Sequence, residues 1–474
     1  MSVANGDEPL ISFQLIGLHG YKNIRLDFQN KTKIVIAENG AGKTIFLSSL
    51  DAFLSRNFLK LSNLQFDRIE CELAGLPRPL ILHRNQLHTI SEDAQRLLQE
   101  FTLYSDASEA DVRDAVRRIK HHDFREVPIF HRVWTNSPWS SEGTLDRIRV
   151  LQTALDVDHS DEAENVSSTL KTILGSTETL YLPTYRRVEL SRSKRENRRL
   201  HGRPSRLQRR SLSEEPFEQP LSTSGINYGL ADVEDRLGYL TEYIQRQSNI
   251  GYRKISAAII DDLLAGRSAV RDAQHEPLPE IDTLRLFFSR IEQSSNDAKQ
   301  RLDAITNLYN SGQINDVGHE PLRYFLARLA KVVNQTKEVE SDIERFVQIS
   351  NEYLSRSGDQ KLLLYDATQM KVKVMNVWTG TEIRLDDLSS GEKQVISLFA
   401  HLYLSQRQKI VLIDEPELSL SIEWQRRLLP DVVNSPTCLQ LLAITHSPFV
   451  FENELDACAS PFDVTRTRNE TIGS

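Results

Sequence analysis

Four short clusters in this chain hold residue types that could do chemistry together. The first is Ala37-Glu-Asn39-Gly40-Ala41-Gly42-Lys43-Thr44. Glycines let backbone N–H groups curl around an anion, and a helix starting there adds the positive end of its dipole. Lys43 then suits the β- and γ-phosphates of a nucleotide, and Thr44 suits its Mg²⁺. Asn39, Gly40, Ala41 and Gly42 complete the candidate loop. Such loops ordinarily open on glycine, and here the place is taken by Ala37.

The second cluster is Ile410-Val-Leu-Ile-Asp414-Glu415-Pro416. An apolar strand delivers two carboxylates to its carboxyl end, where ligands bind in parallel α/β sheets. Asp414 suits a Mg²⁺ ligand, and Glu415 suits a base or positioner for an attacking water. The third, Leu388-Ser-Ser390-Gly391-Glu-Lys-Gln394, precedes a helix and makes a second anion-binding helix start. The fourth, Ala443-Ile-Thr-His446-Ser-Pro, places His446 after another apolar strand, where it can contact a γ-phosphate.

The surrounding pattern predicts the elements that position these groups. Ile11–Leu18 and Ile24–Phe28 read as a strand pair, and Lys33–Ala37 as a buried parallel strand. Ile45–Phe53 reads as a helix, so the phosphate loop sits between strand and helix. Residues 55–180 are mixed, with helical patterns at Ala94–Leu98 and Asp111–Lys120 and a short strand at Thr179–Pro183. Residues 231–356 repeat apolar positions at three- and four-residue steps, among them Leu322, Phe325, Leu329 and Val332. Breaks fall at Ser311-Gly312 and Gly318–Pro321. An antiparallel helical arm is the expectation, reaching roughly 50 Å for a helix of about 35 residues, with a compact helical subdomain as the alternative. Strands return at Lys361–Tyr365, Lys371–Val377 and Thr381–Leu385. A helix (Gly391–Leu404), a strand (Ile410–Ile413), a helix (Ile422–Leu429) and a strand (Leu439–Ile444) follow. The organisation read from this is a first lobe (1–185), a basic loop (186–230), a helical insertion (231–358) and a second lobe (359–474) of one α/β core.

Composition narrows the class. The 474 residues are 39% hydrophobic with a net charge of -8, enough chain for two or three structural units. No apolar run approaches the roughly 18 residues of a membrane helix and no signal peptide is evident, so a cytoplasmic protein without membrane contact is expected. The three cysteines, Cys71, Cys438 and Cys458, lack metal-ligand spacing. His121-His122 reads as a surface pair. Between Arg186 and Arg210 stand eleven basic residues against Glu189 and Glu196. They suit nucleic-acid phosphates, an acidic protein, or a solvated loop with no partner.

In content and order, Ala37–Thr44, Leu388–Gln394, Ile410–Pro416 and His446 resemble the Walker A, signature, Walker B and switch-histidine motifs of the ABC ATPases. That resemblance implies an α/β ATPase core, ATP and Mg²⁺ as ligands, and a head-to-tail dimer. In it Ser390 and Gly391 of one protomer cap the phosphate held by Lys43 of the other. Ser419-Leu-Ser421 stands at the place of the family's D-loop, without its usual aspartate. The long helical insertion resembles the SMC-like and OLD-like branches rather than transporter subunits.

Within those branches, Thr179-Leu-Tyr-Leu-Pro-Thr-Tyr-Arg-Arg-Val-Glu189, Glu415-Pro-Glu-Leu-Ser-Leu-Ser-Ile-Glu-Trp-Gln425 and Thr445-His-Ser-Pro-Phe449 resemble the AriA-type ATPases of PARIS anti-phage systems. This implies a homo-oligomer, such as a hexamer, that holds a separate TOPRIM nuclease of AriB type and releases it on sensing a phage-encoded trigger protein. Ser474 lies 28 residues past His446, too few for a TOPRIM domain, so a separate effector is expected. Septu-type ATPases, which pair with an HNH nuclease, share the cassette. An SMC-like DNA-repair ATPase and a partnerless metabolic ATPase are further readings.

Overall fold

The computed structural model describes residues 8–38, 40–87, 92–105, 107, 109–119, 127–155, 161–183, 230–264, 278–291, 296–358 and 360–467. Asn39, the His121-His122 pair and the basic segment Arg186–Arg210 lie outside the described residues. The chain divides into two compact units. One takes the described residues up to 183 and from 405 onward, and the other takes those from 230 to 404.

The first unit begins with β1 (Leu10–Leu18), β2 (Lys22–Asp27), β3 (Thr32–Ile36), α1 (Lys43–Leu54), α2 (Phe58–Ser62), β4 (Arg68–Leu73) and β5 (Leu80–His83). Helices α3 (Glu92–Ser105), α4 (Glu109–Arg118), α5 (Pro128–Asn136), α6 (Ser141–Leu155) and α7 (Asp161–Leu174) follow among the described residues. β6 (Glu178–Leu182) closes this part. The second unit holds α8 (Ala231–Leu264), α9 (Ile281–Ile291), α10 (Asn296–Asn310), α11 (Glu320–Leu354), β7 (Lys361–Asp366), β8 (Lys371–Asn376), β9 (Glu382–Ile383) and α12 (Ser390–Tyr403). The chain then returns to the first unit with β10 (Lys409–Asp414), α13 (Ile422–Val433), β11 (Cys438–Thr445), β12 (Ala459–Pro461) and β13 (Asp463–Arg466). The protein is thus of mixed α/β class, with a core split around a helical insertion.

Two sheets build the first unit. A parallel sheet has the order β12-β3-β11-β10-β6. Every residue of β10 is buried, as are seven of the eight in β11, which is why their sequences read as unbroken apolar runs rather than alternations. The second sheet, β13-β2-β1-β4-β5, is antiparallel, and β4 buries every second residue. Helix α1 joins them. Phe46 meets Phe13 of β1 edge-on at 5.4 Å, and Phe53 meets the same ring at 5.8 Å. Leu47 and Leu50 share one apolar core with Val35, Ile410, Leu412, Leu442 and Ile444 of the parallel strands. Packing on both flanks fixes the direction of α1, and therefore where its first turn lies. Helices α3–α6 enclose a second core around Phe101, Phe130, Val133 and Leu151.

In the second unit, α8 and α11 form the long pair. Arg236 of α8 donates to the Leu404 carbonyl at 2.9 Å and Thr241 to the Met370 carbonyl at 2.6 Å. At the other end of the sequence pair, Asn351 of α11 bonds Leu363 through both its amide groups, and Tyr353 packs on Phe399. The start of α8 and the end of α11 therefore meet the same sheet and helix, and the two helices run antiparallel. They are not a bare two-helix arm. Leu284 of α9 and Ile305 of α10 share a core with Ile255, Leu326, Leu329 and Val332. Residues 360–404, grouped with the second lobe by their strand pattern, pack with these helices. The expected strand at Thr381–Leu385 is only Glu382–Ile383, because Leu385–Asp387 turn in a 3-10 helix.

Candidate active site

Parallel pairing brings the motif ends together. Ile36, the last residue of β3, pairs with Thr445 at the end of β11, and Asp414 at the end of β10 pairs with Ile444. Three strands thus deliver the phosphate loop, the acidic pair and His446 to one sheet edge, although some 400 positions separate them in sequence.

The loop is shaped by glycine. Gly40 and Gly42 take φ of +76° and +102°, values that a residue with a Cβ reaches only under strain. A Cβ on Gly42 would also stand 3.3 Å from Ile24. Ala37, where such loops ordinarily start with glycine, is buried in the apolar core, so its methyl group packs rather than obstructs. Helix α1 starts without a side-chain cap and with no acidic residue in its first turn. Its first N–H groups and dipole can therefore serve an anion.

Around that helix start the five predicted residues meet. Lys43, only 7% exposed, donates to Glu415 Oε1 at 3.1 Å and touches His446 Nε2. His446 Nε2 stands 3.8 Å from the same Glu415 oxygen. The Thr44 hydroxyl donates to Asp414 Oδ2 at 2.6 Å. Asp414 is fully buried, and its Oδ1 has no hydrogen-bond partner among the described residues. A buried, unpaired carboxylate oxygen beside a hydroxyl is costly unless something charged completes it. Two hard oxygen donors at a phosphate loop fit Mg²⁺. Glu415 adopts φ +52°, a strained conformation for a side-chain-bearing residue and typical of functional positions. Its N–H donates to the Ile444 carbonyl at 2.8 Å, which fixes the turn.

Ser390 and Gly391 stand on the second unit. Ser389, not Ser390, caps α12. Its hydroxyl accepts from the Glu392 N–H at 3.4 Å, while Glu392 Oε2 accepts from the Ser389 N–H at 2.7 Å. This capping box occupies Ser389 and leaves Ser390 exposed as the first helical residue.

Three residues not among the predicted site residues contact the loops of the site. Lys22, buried on β2, donates to the Gly40 carbonyl at 2.9 Å and braces the loop. Nothing in its spacing marks it. Glu417 accepts from the His446 N–H at 2.9 Å and the Thr445 hydroxyl at 2.8 Å. Gln425 accepts from the Ser447 hydroxyl at 2.8 Å. Both lie in the stretch after Glu415, where the second acid of Glu-Pro-Glu was the available signal. Cys71 and Cys438 are buried away from this chemistry. Burial raises the Cys71 thiol above its usual range and Cys438 to about 12, and both are unreactive at neutral pH. No cluster of His, Cys, Asp and Glu forms a metal site among the described residues, and no helix there is long and apolar enough to cross a membrane.

Fold and site together define a mixed α/β protein with a phosphate loop, an acidic strand end and a histidine at one sheet edge. Residues 264–452 match the family model described as "AAA domain, putative AbiEii toxin, Type IV TA system". This stretch carries Asp414, Glu415, His446 and the Ser390-Gly391 pair, while the phosphate loop lies before it. Among solved structures, the chain is similar to the Smc head domain with an extended coiled coil bound to the C-terminal domain of ScpA, from Pyrococcus furiosus. The identity is 11%, the TM-score 0.33, and the match covers 97% of this chain and 96% of that one. The assignment of fold class rests on the strand order and the helical insertion.

Proposed function

We propose that this protein hydrolyses ATP to ADP and phosphate, and that it does so as the sensor and scaffold subunit of a two-component bacterial anti-phage system. The convergence of Lys43, Thr44, Asp414, Glu415 and His446 carries the ATPase reading. Mg²⁺ bound by Thr44 and Asp414 would neutralise charge on the β- and γ-phosphates. Lys43 would exchange its carboxylate partner for phosphate oxygens. Glu415 would then be free to orient the attacking water and take its proton. His446 faces the same place and suits the γ-phosphate. Ser390, exposed at the start of α12, suits a phosphate held by a second copy, in a head-to-tail dimer or a higher homo-oligomer such as a hexamer.

The defence role is supported by the likeness of residues 179–189, 415–425 and 445–449 to AriA-type ATPases, and by the toxin–antitoxin wording of the matched family. On this reading the partner is a separate TOPRIM nuclease, released when a phage-encoded protein is sensed. The test has two parts. The purified chain should hydrolyse ATP in Mg²⁺ and lose turnover in Glu415→Gln. Co-expression with the product of the adjacent reading frame should yield a complex with a TOPRIM nuclease. An HNH nuclease in its place would move the protein to the Septu type, and no bound nuclease would count against the scaffold role.

A further inference from the structure

We propose that Glu417 is a positioning residue for His446, tying the place of that ring to segment 418–421. The proposal deepens the ATPase reading and rests on it. The two carboxylate oxygens of Glu417 hold two points of one loop: Oε1 accepts from the His446 N–H at 2.9 Å, and Oε2 accepts from the Thr445 hydroxyl at 2.8 Å. One bond would leave a pivot, whereas two fix the loop's orientation. The Thr445 hydroxyl, on a fully buried residue, also accepts from the Ser447 N–H at 3.0 Å. The Ser447 hydroxyl donates to Gln425 Oε1 at 2.8 Å. Gln425 in turn donates to the Leu420 carbonyl at 3.0 Å and the Glu417 carbonyl at 3.4 Å. Thr445 is therefore held by Glu417, just before segment 418–421, and Ser447 by Gln425, which also bonds the Leu420 carbonyl of that segment.

That segment carries its own marks of constraint. Ser419 takes φ +63°, an uncommon conformation for a residue other than glycine or asparagine. Leu418 and Ile422 expose apolar surface at its flanks. A shift of this segment would reach the residues around His446 through the Glu417 carboxylate and the Gln425 amide, each held at both of its ends by hydrogen bonds. The chemistry of the contact requires a carboxylate. An ionised Glu accepts at both oxygens, whereas a glutamine amide would present N–H groups to one of the two donors.

The experiment compares steady-state ATP hydrolysis and equilibrium binding of a fluorescent ATP analogue for the full chain and the variants Glu417→Gln, His446→Ala and their double. Glu417→Gln should lower kcat about 10- to 100-fold through misplacement of the ring. KM, analogue affinity and melting temperature should stay within about twofold or a few degrees of the parent. Because Glu417 acts through His446, the double variant should be no slower than His446→Ala alone. A residue that merely supports the fold would give losses that multiply. Multiplying losses, or a kcat for Glu417→Gln close to the parent's, would overturn the proposal. If Glu417→Gln does not fold, Gln425→Ala carries the same test, with a lowered kcat, an unchanged KM and no added loss beside His446→Ala. A parent chain that neither binds nor hydrolyses ATP would sink the ATPase reading and this inference together. An active parent with an indifferent Glu417 sinks the inference alone.

Discussion

The Thr44 hydroxyl donates to Asp414 Oδ2 at 2.6 Å across 370 positions of sequence, and the other oxygen of that buried carboxylate has no hydrogen-bond partner among the described residues. The pair has the chemistry of a half-built cation site. Asp414→Asn should weaken Mg²⁺-dependent nucleotide binding by more than about tenfold, and should make binding in EDTA and in Mg²⁺ nearly equal. Titration of a fluorescent nucleotide in both buffers checks this. A preserved Mg²⁺ dependence would remove Asp414 from the site.

Glu415 and Lys43 form an ion pair at 3.1 Å with little solvent around either group. Glu415→Gln removes the base and also frees Lys43 from a competing carboxylate. Turnover should fall about 10²- to 10⁴-fold, while ATP affinity stays the same or tightens. Single-turnover hydrolysis beside equilibrium binding separates the two effects. Turnover near the parent's would mean that another group handles the water.

Ser390 stands exposed on one unit, and Lys43 lies in the site on the other. Mixing Lys43→Ala and Ser390→Arg protomers should restore hydrolysis that neither variant shows alone, because one mixed site keeps both groups. Activity in the mixture no higher than in the separate variants would count against a shared site.

Gly251 sits inside α8, where glycine is a poor helix former. A Cβ there would meet Val332 of α11 at 2.5 Å, and valine has no flexible end to move aside. Gly251→Ala should destabilise the protein by about 1–3 kcal/mol through overpacking, less the gain in helix propensity. Adding Val332→Ala should recover part of the loss. Denaturant melts of both variants measure it, and a more stable Gly251→Ala would mean that the helices are not in close contact.

Glu392, buried beside Lys361 at 2.9 Å, links the capping box of α12 to β7. Burial pushes its carboxyl upward, but hydrogen bonds from Lys361 and Ser389 outweigh that and hold it below its usual value. A depressed carboxyl contributes stability that is fully present above its unfolded pKa of about 4.3 and is lost as pH falls through the lower folded value. Glu392→Gln should cost about 3 kcal/mol at neutral pH by leaving the Lys361 ammonium buried and unpaired. The cost should shrink as pH falls from the unfolded value through the lower folded one, over which the parent loses the same charge. Urea melts at pH 7 and pH 3.5 test the sign.

Much of this was legible in the primary structure. The strand before the phosphate loop and the helix after it fall within a residue or two of their expected ends, because buried parallel strands and glycine loops write themselves locally, whereas the helix after the acidic pair runs four residues past its expected end at Leu429. Helices α5–α7 were not legible. Trp134 and Trp139 pack only partly buried against the Phe101 core, and in sequence such residues break no pattern and make none. The strands β12 and β13 were also missed, since runs of three and four residues owe their pairing to the neighbours they meet and not to propensity.

The sequence by itself determined which groups would do chemistry: a lysine and threonine on a glycine loop, two carboxylates at a strand end, and a histidine after the next strand. Only the tertiary structure decided that β11 lies between β3 and β10, which sets Lys43 against both Glu415 and His446 and Thr44 against Asp414. It also decided that Lys22 and Glu417 hold the loops carrying those residues. Spacing along a chain carries no record of pairing across a sheet, and a hydrogen bond to a carbonyl or an N–H leaves no motif behind.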